Sequence, residues 1–134
     1  MTNTYRSVQH RRNHNQTSAY KRLFVEYKAN SKKKGLDFNL DFNQFKRLIK
    51  SNCYICDKAP CLLFKRVDQS GSAYYNGIDR IDSDLGYTVS NCKPCCTTCN
   101  RMKSDHKISK FKKHIKRIID TGLLFRKPKA KIVK

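Results

Sequence analysis

Acidic residues are scarce in this chain: 10 Asp and Glu stand against 30 Lys and Arg, giving a net charge of +20 over 134 residues. Such an imbalance destabilises a compact chain by self-repulsion unless a polyanion is its partner. Long apolar runs are missing as well. No stretch approaches the roughly 20 residues needed to cross a bilayer, and Met1-Thr2-Asn3-Thr4-Tyr5-Arg6 has no apolar segment of the signal-peptide kind. With no membrane partner expected, nucleic acid becomes the expected polyanion, DNA first and RNA as the alternative, and a reducing cytoplasm the expected compartment. Apolar residues make up 38% of the chain, enough for a modest core that gains less from burial than a larger domain would. A covalent or metal staple would help such a core.

Residues 1–16 carry Arg6, His10, Arg11, Arg12 and His14 among polar neighbours and read as a basic N-terminal arm. From Thr17 the pattern turns helical, with Tyr20, Leu23, Phe24 and Tyr27 at i, i+3, i+4 and i+7. Lys32-Lys33-Lys34-Gly35 supplies cations and a glycine where such a helix should end. Asp41 with Gln44 three residues on is a variant capping box for a second helix from Phe42 to about Lys50, whose apolar face is Phe42, Phe45, Leu48 and Ile49. Residues 17–50 thus form a helical segment. The stretch 59–72 reads as a variable loop. Tyr74 to Asp82 and Tyr87 to Cys95 read as two strands joined by the turn Ser83-Asp84-Leu85-Gly86. A helix is predicted to start near Cys96 or Thr97, and a last amphipathic helix runs from Ser109 to Asp120 and stops at Thr121-Gly122. Residues 51–122 form the core on this reading, and 123–134 a basic tail.

Seven cysteines could mean disulfides, but the count is odd and the spacing is of the C-x-x-C type. A structural zinc ion takes four thiolates in a tetrahedron, and two such pairs on separate turns supply them. Cys53 and Cys56 form the first pair. Cys92 with Cys95 and Cys96 with Cys99 compete for the second. The latter is preferred, because Cys96 and Cys99 fall at a strand-to-helix turn whereas Cys92 and Cys95 straddle Pro94 in a strand. Cys61, Cys92 and Cys95 are then packing or incidental thiols.

Between and beyond the pairs lie Asn76-Gly77-Ile78-Asp79-Arg80-Ile81-Asp82, Gly86-Tyr87, Asn91, Pro94, Cys99-Asn100 and Lys103. This series, covering about Cys53 to Lys103, resembles the HNH endonuclease family, particularly small phage enzymes with a zinc-bound treble-clef scaffold. The resemblance implies an α+β fold: a small zinc-stapled ββα-metal core with flanking amphipathic helices. It also implies a metal-dependent DNA endonuclease, of the homing or nicking sort, with Mg²⁺ or Mn²⁺ as catalytic ion. Asp79 and Asn100 would hold that ion, Asn100 in the manner of the endonuclease VII type of resolvase, and Asn91 would brace the loop between the strands.

The departure is at Arg80, where the family carries the His that deprotonates water. An arginine cannot act as that base at neutral pH; its cation could grip the scissile phosphate, and Asp82, on the same side of the strand, could serve as base or second carboxylate. None of the four histidines takes the usual place. Arg101, Lys103, Lys107, Lys110 and Lys113 are candidate phosphate contacts, joined by Lys112, Lys116 and Arg117. Three alternatives stand beside the nuclease: a hairpin whose charged residues only fix the fold, a noncatalytic zinc-finger-like protein that binds DNA, RNA or a ribonucleoprotein through charge, and an accessory protein that docks on a host enzyme.

Overall fold

A computed structural model describes residues 3–65 and 71–125, with side chains from residue 16 onward. Helix α1 spans Asn3–Lys33 and α2 Phe42–Lys50; strands β1 (Leu62–Lys65) and β2 (Ser72–Tyr75) are followed by β3 (Gly77–Arg80) and β4 (Cys92–Cys95); α3 (Thr97–Lys103), α4 (Ile108–Asp120) and a 3₁₀ turn (Leu123–Phe125) complete the order. The architecture is α+β: two antiparallel two-stranded sheets, β1–β2 and β3–β4, with helices packed on them. The β3–β4 hairpin running into α3 is the ββα unit.

The helix ends follow their local chemistry. Gly35 adopts φ +67, where a side chain would be strained, and the Leu36 N–H donates back to the Ser31 carbonyl at 2.9 Å in a Schellman-type stop. At α2 the box is complete: Asp41 Oδ1 accepts from the Gln44 N–H at 2.8 Å, and Gln44 Oε1 accepts from the Asp41 N–H at 2.9 Å. Helix α1 spans Asn3–Lys33, so its backbone runs through the stretch expected as a basic N-terminal arm. The first glycine is Gly35 and no proline precedes it, so nothing in the chain stops the helix from extending backward. Of the basic tail, residues 126–134 lie outside the described residues.

The helical segment and the hairpin share one core. Tyr20, Leu23, Leu40, Phe45, Ile49, Ala73, Ile78 and Cys92 are buried together, and Phe24 meets Phe38, Phe42 and Phe45 edge-to-face at 5.3–5.7 Å between centroids. Burial of a side chain such as Phe45 or Ile49 is worth about 2–3 kcal/mol, and both are fully enclosed. A smaller cluster of Cys53, Cys95, Cys96 and Cys99, covered by Tyr54 and Ile55, sits beside it. It has too little apolar surface to hold itself together.

Three expectations change, one of them the strand expected from Tyr87 to Cys95, of which only Cys92–Cys95 is a strand, Tyr87 being an isolated bridge ahead of a turn. The stretch 59–72 holds β1 and the start of β2, which pair Leu62 with Tyr75 and Lys65 with Ser72. The single strand expected from Tyr74 to Asp82 is broken at Asn76 into β2 and β3. The long connection between β3 and β4 is anchored from outside: Tyr87 bridges Phe38, with the Asn39 N–H donating to the Tyr87 carbonyl and the Tyr87 N–H to that of Asp37, both at 2.8 Å. Gly86 lies so close to the Asp37 backbone that a Cβ there would collide with it.

Candidate functional site

The first cysteine pair sits on a tight turn. The Cys53 N–H donates to the Lys58 carbonyl and the Asp57 N–H to the Cys53 carbonyl, each at 2.9 Å, and Asp57 takes φ 60 to close the knuckle. Asn76, the residue that breaks the strand, pins this knuckle from below: its Nδ2 donates to the Ser51 and Lys58 carbonyls at 3.0 and 3.1 Å. The second pair sits where β4 runs into α3. Cys96 is the N-cap, its Sγ accepting from the Cys99 N–H at 3.4 Å.

All four Sγ atoms of Cys53, Cys56, Cys96 and Cys99 lie within 4.8 Å of one another, and Cys56 and Cys96 approach to 3.7 Å. Zn–S bonds near 2.3 Å in a tetrahedron set the sulfurs about 3.8 Å apart, so the four cysteines are positioned to bind a metal ion. Burial opposes ionisation of Cys53, but the backbone N–H groups of Cys56, Cys96 and Ile55 outweigh it and bring the thiol down to about 6, which favours the thiolate a metal needs. Cys92, in the main core, is pushed by burial up to about 11. Cys95 is raised further by burial and the neighbouring Cys53, and Cys61 is exposed. None of these three joins the four-sulfur cluster.

Asp79 occupies the end of β3 and is buried. Both of its oxygens are engaged. The Tyr54 hydroxyl donates to Oδ2 at 2.6 Å, and the Lys103 ammonium donates to Oδ1 at 3.1 Å. Side-chain exposure is 1% for Lys103 and 5% for Asp79, so this is an internal ion pair. Burial, and then the hydrogen bond to Asp79, raise the Tyr54 phenol well above its ordinary value, so it stays a donor. Lys103, read from sequence as a phosphate contact, therefore faces inward. It lies three residues from Asn100 on α3, the spacing at which helix side chains are neighbours.

Arg80 is turned into the loop. Its Nη1 donates to the carbonyls of Ser83 and Leu85, both at 2.6 Å, and its guanidinium lies 5.4 Å from the centre of the Tyr87 ring. Asn91 braces the same loop from the other end: Oδ1 accepts from the Asp82 N–H at 2.9 Å, while Nδ2 donates to the carbonyls of Asp82 and Gly86 at 3.0 and 2.9 Å. Replacing Asn91 by Ala would orphan these groups and is expected to cost about 2–3 kcal/mol, read as a lower urea midpoint at unchanged slope. Asp82 is exposed, its Oδ1 accepting from the Asp84 N–H at 3.0 Å. Among the described residues the Asn100 side chain makes no hydrogen bond, and His106, the histidine nearest in sequence, is half-exposed beside Asp105 at 3.8 Å. His10 and His14 fall outside the described side chains.

The structure thus brings Asp79 together with Lys103 of α3, and turns the side chain of Arg80, at the end of β3, toward the loop that holds Asp82 and that Asn91 braces. The sequence reading missed Tyr54. Its only signal was a phenol inside a cysteine knuckle, 25 residues from the carboxylate it binds.

The fold is similar to that of a solved rare-cutting HNH restriction endonuclease, PacI, with a TM-score of 0.53 over 73% of this chain and 75% of that chain, at 21% identity. The chain has an HNH-type fold. In sequence it is 36% identical over 88 residues, 66% of its length, to an uncharacterized protein of Acanthamoeba polyphaga mimivirus, and it spans 14% of that relative. No protein-family model matches the chain. Among the described residues no helix is long and apolar enough to cross a membrane.

Proposed function

We infer that this HNH-fold chain is a DNA-binding module that grips the phosphodiester backbone without cutting it. The observation that carries this reading is the enclosure of Asp79. A catalytic Mg²⁺ or Mn²⁺ held by Asp79 and Asn100 needs open, near-octahedral oxygen positions close to 2.1 Å. Here Tyr54 and Lys103 take both carboxylate oxygens, and parting a buried pair leaves an uncompensated charge costing several kcal/mol. Tyr54 and Lys103 thus compete with a catalytic divalent ion for Asp79. Arg80, spent on loop carbonyls, supplies neither a base nor a ready phosphate clamp.

The four cysteines do fit a structural ion, and their four soft sulfurs with no open position favour zinc. Its chemistry there is to hold the knuckle against the start of α3.

Binding is supported by charge. Residues 101–125 contain eight Lys and Arg against two Asp. Arg101, Lys107, Lys110, Lys112, Lys113 and Arg117 are exposed, and among the described residues none of them pairs with a carboxylate. Such contacts position a duplex without reading its sequence, which leaves RNA as the competing polyanion. With about six phosphates neutralised, duplex affinity is expected to fall about 1,000-fold between roughly 50 and 200 mM salt, as measured by fluorescence anisotropy. A flat salt response would overturn the reading.

The second reading is a metal-dependent DNA endonuclease of the homing or nicking kind. Its support is the fold shared with a restriction endonuclease and an Asn100 amide that makes no hydrogen bond among the described residues, three residues from the Lys103 that meets Asp79.

A further inference from the structure

Helix α4 is amphipathic but poorly covered. Of its apolar residues only Phe111 is buried; Ile108, Ile115 and Ile118 are half-buried, and Ile119 is 46% exposed. Met102 on α3, 54% exposed, continues the same surface, and Leu123, Leu124 and Phe125 beyond α4 are exposed as well. A groove of about 630 Å³ runs along one side of α4, floored by Met102, Phe111, Ile115 and Ile118. Its rim is cationic, with Lys110, Lys113 and Arg117, and no carboxylate lines it. A shallower groove of about 380 Å³ on the other side is rimmed by Lys112 and Lys116.

We propose that this face is a docking site for an acidic amphipathic helix of another protein. A helix laid in a groove presents apolar anchors at i, i+3, i+4 and i+7, which would sit on Met102, Ile115 and Ile118 while its carboxylates meet the rim. Charge decides the occupant. Among the described residues the four α-helices carry only Glu26 and Asp120 as acids, each already paired within its own helix, so none of these helices, in this copy or a second one, supplies the complement. DNA matches the rim, where Lys110, Lys113 and Arg117 are also the phosphate contacts proposed above and would be competed for, and His106, His114 and Arg117 offer planes for stacking; it does not match the floor, which is thioether and aliphatic with Phe111 buried.

The probe is a fluorescein-labelled peptide of about 18 residues, five helical turns, with Leu on one face and Glu elsewhere, compared with a scrambled peptide of the same composition. The zinc-loaded protein is expected to bind the patterned peptide at least tenfold more tightly. Met102→Ser, a substitution at an exposed position, and Ile118→Ser should each weaken that binding severalfold, with thermal melts reported for both. Equal binding of the two peptides would reduce the contact to bulk charge and overturn the proposal. So would protection of the Ile118 methyl group by duplex DNA, or self-association abolished by Ile118→Ser, since each names a different occupant.

Discussion

Removing the metal from Cys53, Cys56, Cys96 and Cys99 with a strong chelator is expected to unfold the C-terminal part of the chain, with the melting temperature of that part falling by more than about 10 °C. Structural zinc contributes on the order of 10–16 kcal/mol to small zinc-dependent folds. The cluster around it consists of the cysteines themselves with Tyr54 and Ile55, so without the ion nothing of comparable size joins the knuckle to α3. The main core, built by α1, α2 and the strands, has its own aromatic packing and should persist. Hydrogen exchange then reads the result locally: fast exchange in residues 96–120, slow exchange in α2. Cys99→Ser should reproduce it. Uniform protection after chelation would show that the four sulfurs are packing groups.

The second large effect concerns the ion pair. Asp79→Ala removes the carboxylate from an ammonium that is 1% exposed, leaving Lys103 buried without a counter-charge and the Tyr54 hydroxyl without its acceptor. The expected loss is about 3–5 kcal/mol. Replacing both partners by apolar residues of similar size, Asp79→Leu with Lys103→Met, should recover most of it, because the desolvation penalty of the pair goes with the charges. Denaturant titration of the single and double variants measures this directly. A mild single-variant effect would mean that Asp79 is open to solvent or to an ion. The double variant, if folded, should also keep its salt-sensitive affinity for DNA, since neither group lies on the exposed cationic surface.

Local patterns carried much of the fold. The Asp41–Gln44 box, the apolar spacing of Tyr20, Leu23, Phe24 and Tyr27, and the stop at Thr121-Gly122 act within a few residues, and the elements they define are present. The second cysteine pair was also legible, because Cys96 and Cys99 both sit at the start of a helix where two thiols can face the knuckle together, whereas of the strand pair Cys92 and Cys95 only Cys95 lies on that side and Cys92 is buried in the main core. Asn76 was not legible. It reads as an ordinary polar strand residue, and only contact with Ser51 and Lys58 explains why its side chain turns inward and the strand breaks. Likewise, β1 and β2 are four residues each, too short for alternation to separate them from a loop.

The site was legible in outline and misread in one decisive place. Lys103 stands in a run of cations whose other members are exposed, and a basic run on a helix suggests a phosphate-facing surface. Its true partner lies 24 residues upstream, beyond the reach of any periodicity. Arg80 was recognised as a departure from the HNH pattern, but its use, fastening the Ser83–Leu85 turn, depends on loop carbonyls that no spacing reveals.

Incubating supercoiled plasmid with the zinc-loaded protein and added Mg²⁺ or Mn²⁺, at salt low enough to saturate binding, separates a binding module from a nuclease most directly. The enclosed Asp79 predicts a saturated complex in which the plasmid stays supercoiled. Nicking that requires the added ion and disappears in Asn100→Ala would contradict it, and would mean that the Lys103 ammonium yields its place on Asp79 to a divalent cation.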